Sequence, residues 1–193
     1  MKTILGELRT SVVAVMTIAL IVCGAYPVLV WIPARVLFPH QTAGSLIVRD
    51  GNVIGSELLA QAFTGPQYFH PRPSAAGDGY DASSSGGSNL GPTSKRLHEV
   101  IAGRIAQYRQ ENGLSDGSPV PADAVTASAS GLDPHISIKN AEMQASRVAE
   151  ARGLTVDGVT EMIRAHTEGP DLGVLGDARV NVLRLNLALD GKR

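Results

Sequence analysis

Residues 10–34 form an unbroken run of twenty-five residues without one charged side chain, almost all of them apolar. A helix of that length rises ~37 Å, enough to cross the ~30 Å hydrocarbon core of a bilayer. The run therefore predicts one N-terminal membrane span with a water-exposed domain behind it. This divides the chain into an N-terminus at 1–9, an anchor at 10–34 and a domain at 35–193. Lys2, Arg9 and the terminal amine precede the run, while Arg35 is the only close positive charge after it. The positive-inside bias then places the N-terminus in the cytoplasm and the domain outside, which in a bacterium is the periplasmic face of the inner membrane.

A cleaved signal peptide has a shorter apolar core than this. Here the run continues past Cys23 through Val28, Leu29, Val30, Trp31 and Ile32, so a retained anchor is expected. Val22 also stands where a lipoprotein signal needs a small residue. Trp31 and Tyr26 suit the outer interfacial belt, and Pro27 is placed to bend the last turn. Ala14, Thr17 and Gly24 offer a small-residue face for contact with another helix.

The remainder, about 160 residues, is ample for one hydrophobic core. From residue 36 onward, 14 Lys plus Arg stand against 17 Asp plus Glu, which gives no electrostatic case for nucleic acid. The only cysteine, Cys23, lies in the apolar run, so the domain has neither disulfide nor thiol chemistry and depends on packing. Four of the eight aromatic residues, Phe63, Tyr68, Phe69 and Tyr80, fall in one short segment. Such a cluster marks a local core under a loop or a contact surface.

Residues 45–56 read as a hairpin turning at Asp50-Gly51. Residues 57–63 predict a short helix ending near Gly65-Pro66. Residues 65–92 are irregular and dense in Gly, Ser and Pro; loops this long are usually functional or disordered, and the composition of 77–87 leaves its order open. An amphipathic helix is expected over 93–112, with Leu97, Val100, Ile101, Ile105 and Tyr108 on one face and Gly113 closing it. Residues 115–123 connect it onward. Ser137 can cap a second helix, to Arg152, with Ala141, Ala145, Val148 and Ala149 inside. Thr155 can cap a third, to about His166, with Val159, Met162 and Ile163 inside. The alternation of Leu183, Leu185, Leu187 and Leu189 predicts a strand over 180–189, with a bulge near Val182. Helices segregated from a small antiparallel sheet make the domain α+β.

Two polar loops invite chemistry. The loop from Ser85 to Thr93 spaces Gly86 and Gly91 as a phosphate loop would, but Pro92 stands where the lysine is needed. The favoured reading is a connector that caps the following helix. The loop 126–137 brings Ser128, Ser130, Asp133 and His135 close in sequence. Asp133 and His135 are two apart across a proline, and neither serine lies in a G-x-S-x-G elbow. A hydrogen-bonded turn is the favoured reading, and a membrane-tethered hydrolase using Ser128 or Ser130 with His135 and Asp133 stays open beside it. His40, His70, His98, His135 and His166 lack paired metal-ligand spacing. A lone span without polar lining forms no ion path by itself.

Gln61-Ala62-Phe63-Thr64, Tyr68-Phe69 with Arg72-Pro73-Ser74-Ala75, the Ser85–Pro92 loop, the Val125–Ser137 loop, and Arg179-Val180-Asn181-Val182-Leu183 with Leu185-Asn186 occur in that order. Together they resemble the C chain of the bacterial potassium-transporting ATPase, the KdpC family, over essentially the whole chain. Ala60 departs from the pattern where a glycine is expected, and Ser94 follows the Pro92-Thr93 pair. The resemblance implies a non-catalytic accessory subunit that supports assembly and high-affinity potassium transport. The implied partners are a channel-like subunit carrying the potassium path, a P-type ATPase subunit and a small one-helix subunit. The resemblance implies no cofactor or metal held by this chain, since potassium and ATP are handled by the complex; an influence on ATP binding is also attributed to the family. The outer domain is implied to stand near the channel-like subunit's external mouth. Phe63, Tyr68, Phe69, Arg72, Ser88, Asn89, Ser130, Asp133 and His135 are expected to form the ordered loop surface, because aromatic residues and arginine are the usual interface anchors. A stand-alone module for a small ligand or cation is the further alternative.

Overall fold

The computed structural model describes residues 2–191. The chain divides at residues 46 and 47 into two compact units. In the first, one helix is long and apolar enough over Thr3–Leu37 to cross a bilayer. It comprises α1 (Lys2–Ala19), a π-helical turn (Leu20–Ala25) and α2 (Tyr26–Leu37), followed by the single turn α3 (Pro39–Thr42). Proline explains the wide turn. Pro27 has no N–H for the carbonyl four residues back and its ring would collide with it. The turn just before it is wound wider, and the Tyr26 N–H donates to the Ile21 carbonyl five residues back.

The second unit begins within β1 (Leu46–Arg49), which forms the expected hairpin with β2 (Asn52–Ser56). Asp50 and Gly51 have φ of 52° and 78°, the paired positive values that a two-residue hairpin turn requires. The helix expected over 57–63 is absent. The segment makes one turn, with the Leu58 and Leu59 N–H groups donating to Ser56, and then takes its partners from elsewhere. The Ala60 N–H donates to the Leu132 carbonyl, and Asn181 Nδ2 donates to the Glu57 carbonyl. These long-range bonds replace the local ones a helix would make.

Residues 65–92 contain neither helix nor strand. Next come α4 (Lys95–Glu111), the single turn α5 (Ala122–Val125), β3 (His135–Ser137), α6 (Ile138–Arg152), α7 (Val156–Ala165), β4 (Thr167–Glu168), β5 (Arg179–Asn181) and α8 (Val182–Asp190). Ser137 and Thr155 cap α6 and α7 through their side-chain oxygens, as expected, while Ser94 caps α4, which starts at Lys95 and not at the expected residue 93. Of the expected inner face of α4 only Tyr108 is fully buried; Leu97, Val100, Ile101 and Ile105 are half-buried.

The C-terminal strand is the main correction. Only residues 179–181 are extended, and no bulge forms near Val182, where α8 begins. Asn181 caps α8 by accepting from the Arg184 N–H. Leucines two apart fit a strand, but Val182, Leu185, Asn186 and Leu189 also recur at the 3.6-residue period, and leucine is a strong helix former.

The three-stranded sheet runs β3-β5-β4, antiparallel throughout, pairing Ile136 with Val180 and Val180 with Thr167. Helices α6 and α7 pack together, and α8 packs on α7 and β5. Between them lies the core, including Phe69, Ile136, Val148, Val159, Ile163, Val180, Leu185 and Leu189. Full burial of each such aliphatic or aromatic side chain contributes about 1.5–3 kcal/mol.

Candidate functional site

The long loop is strapped to the helices residue by residue. Arg147 donates from Nη1 to the carbonyls of Pro66 (2.6 Å) and Tyr68 (3.0 Å). Arg152 donates from Nε to the Gln67 carbonyl (2.6 Å). The Asn186 side chain accepts from the Phe69 N–H (2.8 Å) and donates to its carbonyl (3.0 Å). Gln144 does the same for His70, at 2.7 and 3.1 Å. Each backbone from Pro66 to His70 is thus held by a side chain of α6 or α8. The Arg152 side chain is only 3% exposed, pairs with Asp190 at 2.9 Å and lies over the Tyr68 ring, 5.1 Å from its centre.

The second polar loop is pinned to the first. The Gly86 N–H (2.9 Å) and Ser85 Oγ (3.0 Å) both donate to the Ser130 carbonyl. Gly131 sits at φ +68°, where an added Cβ would stand 2.7 Å from the Ala76 nitrogen and from the Gly86 oxygen. Glycine is therefore required for the two loops to meet here. Asp123 accepts from the Ser137 N–H and Oγ and from Asn140 Nδ2, fixing the far end at the start of α6.

A ladder of charges runs along the loop edge. Arg72 meets Asp133 at 2.9 Å, His135 lies 3.5 Å from both Asp133 and Glu168, and Glu168 pairs with Arg179 and Arg184. Arg184 also pairs with Glu57. Partial burial works to raise the Asp133 carboxyl, but bonds from His135 and Arg72 outweigh it and hold Asp133 at about 2. Beside this edge is a cleft of about 340 Å³ whose lining includes Phe63, His70, Tyr80, Arg104, Tyr108 and Glu111. Burial and the Arg147 charge hold the His70 imidazole below its ordinary value. Burial and the Asp123 charge push the Tyr108 phenol up, and its OH donates to Asn140 Oδ1 at 2.8 Å.

The residues singled out in the sequence divide sharply. Arg72, Asp133 and His135 come together. Phe63 and Tyr68 meet in a tilted contact, their ring centres 5.3 Å apart and their planes 50° from parallel. Ser88, Asn89 and Ser130 are exposed, with Asn89 at φ +52°. Phe69 is fully buried and belongs to the core. The Ser128–His135 segment folds as a turn: Ser130 Oγ accepts from the Leu132 N–H, Ser128 Oγ from the Asp133 N–H, and Asp133 Oδ1 from the His135 N–H. Both ring nitrogens of His135 face carboxylates, so neither is aimed at a serine hydroxyl. That geometry fixes a loop and does not activate a nucleophile. Sequence reasoning passed over Gln144, Arg147, Arg152 and Asn186 as site residues. The available signal was a polar side chain inside a buried helical stripe, Gln144 between Ala141 and Ala145 and Asn186 between Leu185 and Leu189.

One apolar helix followed by an α+β domain that presents strapped loops defines the class. The model of the family described as KdpC: K+-transporting ATPase, c chain, matches residues 8–191. The Potassium-transporting ATPase KdpC subunit of Nitratidesulfovibrio vulgaris is 56% identical over 183 residues, covering 94% of this chain and 92% of that one. The subunit of the same name from Rhodospirillum rubrum is 53% identical over 186 residues, 96% of each chain. That of Mycobacterium tuberculosis is 54% identical over 165 residues, 86% of this chain and 87% of the relative. The chain belongs to the KdpC family.

Proposed function

We propose that the chain is a non-catalytic accessory subunit of an ATP-driven, high-affinity potassium uptake complex. Family membership across residues 8–191, apolar helix and domain together, carries the reading, since the relatives are named as potassium-transporting ATPase subunits. The apolar helix spans the bacterial inner membrane. Lys2 and Arg9 against Arg35 favour a cytoplasmic N-terminus and a periplasmic domain. The partners are a channel-like potassium-translocating subunit, a P-type ATPase subunit and a small one-helix subunit. Potassium and ATP are handled by those chains, and any effect on ATP binding is transmitted through the assembly. The contact surface is the loop edge carrying Ser88, Asn89, Ser130, Asp133 and His135, held by Arg72, with Phe63 and Tyr68 beside the cleft. Phe69 supports it from the core. A hydrolase has no support at His135, whose ring nitrogens are both turned to carboxylates.

The test is purification of the tagged full-length chain from native membranes in mild detergent. Recovery of the channel-like and ATPase subunits in fixed ratio is expected. Recovery of the chain alone, from membranes that contain those subunits, contradicts the reading.

A further inference from the structure

The β1–β2 hairpin carries aliphatic side chains on both of its faces. Ile47 and Ile54 are half-buried on one, while Leu46, Val48 and Val53 alternate with them and are 40%, 58% and 61% exposed. The two-residue turn at Asp50-Gly51 sets Val48 opposite Val53 across the strands. A hairpin with one face on its domain ordinarily turns polar side chains to water on the other. Neighbouring exposed aliphatic side chains on one sheet face instead mark a contact surface.

The place of the hairpin in the chain says what it contacts. Only residues 38–45 separate Leu37, the end of the apolar helix, from Leu46, the start of β1. That connector is wound, not extended. The Thr42 N–H donates to the Phe38 carbonyl, the Gly44 N–H to the Gln41 carbonyl and the Ser45 N–H back to the His40 carbonyl, each at 3.0 Å. An extended connector would reach roughly 30 Å, whereas helical residues such as those of α3 advance only ~1.5 Å each. β1 therefore starts close to where the apolar helix ends. The charges agree. Residues 35–53 carry Arg35, His40 and Arg49 against one acid, Asp50. Both arginines are exposed, and neither enters an ion pair among the described residues. Unpaired guanidinium groups bordering aliphatic side chains are attracted to lipid phosphates.

We propose that the hairpin rests its outer face, Leu46, Val48 and Val53, on the headgroup boundary of the bilayer that the chain's own helix crosses, with Arg35 and Arg49 at the phosphates. Three aliphatic side chains would hold a free domain on lipid only weakly. The helix removes that difficulty, because a short tether keeps the face beside the bilayer at about millimolar effective concentration. This rests on the reading of the apolar helix as a membrane span.

The test uses the full-length chain with Cys23→Ser and either Val48→Cys or Val53→Cys, labelled with an environment-sensitive maleimide dye. Each is reconstituted into vesicles of phosphatidylcholine, alone or with phosphatidylglycerol, with and without the partner subunits. Emission is read together with its quenching by nitroxide on the lipid chains and by iodide in the water. A blue shift, quenching by the lipid nitroxide and loss of iodide quenching are expected at both positions without partners. The effect should be stronger with phosphatidylglycerol and should persist in the complex. Water-like emission quenched by iodide, in chains that resist alkaline extraction, overturns the proposal and leaves the span standing. Protection that appears only with the partner subunits overturns it in favour of a protein contact. A chain that alkaline carbonate strips from the vesicles overturns the proposal and the span together.

Discussion

The side-chain amides of Asn186 and Gln144 each bond both backbone groups of one loop residue, and that of Gln144 also meets Asn140 and Arg147. Truncating Asn186 leaves a buried N–H and a buried carbonyl of Phe69 without partners, at about 1–3 kcal/mol for each group. Asn186→Ala is therefore expected to lower stability by about 2–4 kcal/mol, read by denaturation of the full-length chain in detergent. An effect no larger than that of an exposed control such as Ser88→Ala would mean the strap is dispensable. Asp133 supplies a pH signature. Its folded value of about 2 lies below the ordinary 3.8, so folding favours the ionised form. The stabilisation is complete above pH ~4, shrinks as pH falls towards 2 and is gone below it. Screening by water limits it to about 1–2 kcal/mol. Asp133→Asn lacks this component, so its stability deficit against the parent chain should close by that amount between pH 5 and pH 2. A deficit that stays constant would place the carboxylate outside the network. Arg72, Asp133 and His135 were legible because they stand out in loops of Gly, Ser and Pro, whereas Arg147 and Arg152 were not, because an arginine on a helix reads as part of its solvated face. Gln144 and Asn186 were not, because a polar residue on a helix betrays its burial only when the helix's apolar stripe is traced through it and a partner loop is known.

At the scale of elements, caps and turns were read well and the last element was not. Ser137, Thr155 and Asp50-Gly51 act locally, so their chemistry fixes structure within a few residues. Residues 180–189 satisfy two periods at once, and the choice between them was made by the sheet. β5 is filled at 179–181 by pairing with β3 and β4, after which Asn181 starts a helix that buries Leu185 and Leu189. Asn181 also donates to the Glu57 carbonyl, so the segment once expected to be helical is held by this same residue. Asn181→Ala should cost about 1–2 kcal/mol through the lost cap and the orphaned carbonyl. Asn181→Asp keeps an acceptor for Arg184 but no donor for Glu57, and should fall between. Equal stability of all three proteins would show that α8 does not depend on its cap.

For the whole molecule, the two units divide the work. The first provides an apolar helix long enough to cross a bilayer, and the second an ordered loop surface braced from α6 and α8. The broad plan, one long apolar helix and an α+β domain, was legible because charge-free length and helix periodicity are coarse signals. The loop surface was legible only as a set of motifs, since its geometry depends on contacts more than a hundred residues apart, such as Phe69 with Asn186. The central claim is that this chain supports a potassium pump while holding neither its ion path nor its ATP site. Potassium-stimulated ATP hydrolysis, measured in proteoliposomes with the chain alone, the partner subunits alone, and both together, tests it most directly. We predict no hydrolysis by the chain alone, impaired or low-affinity stimulation with the partners alone, and recovery when the chain is restored. Hydrolysis by the chain alone, or full high-affinity stimulation without it, would contradict the account.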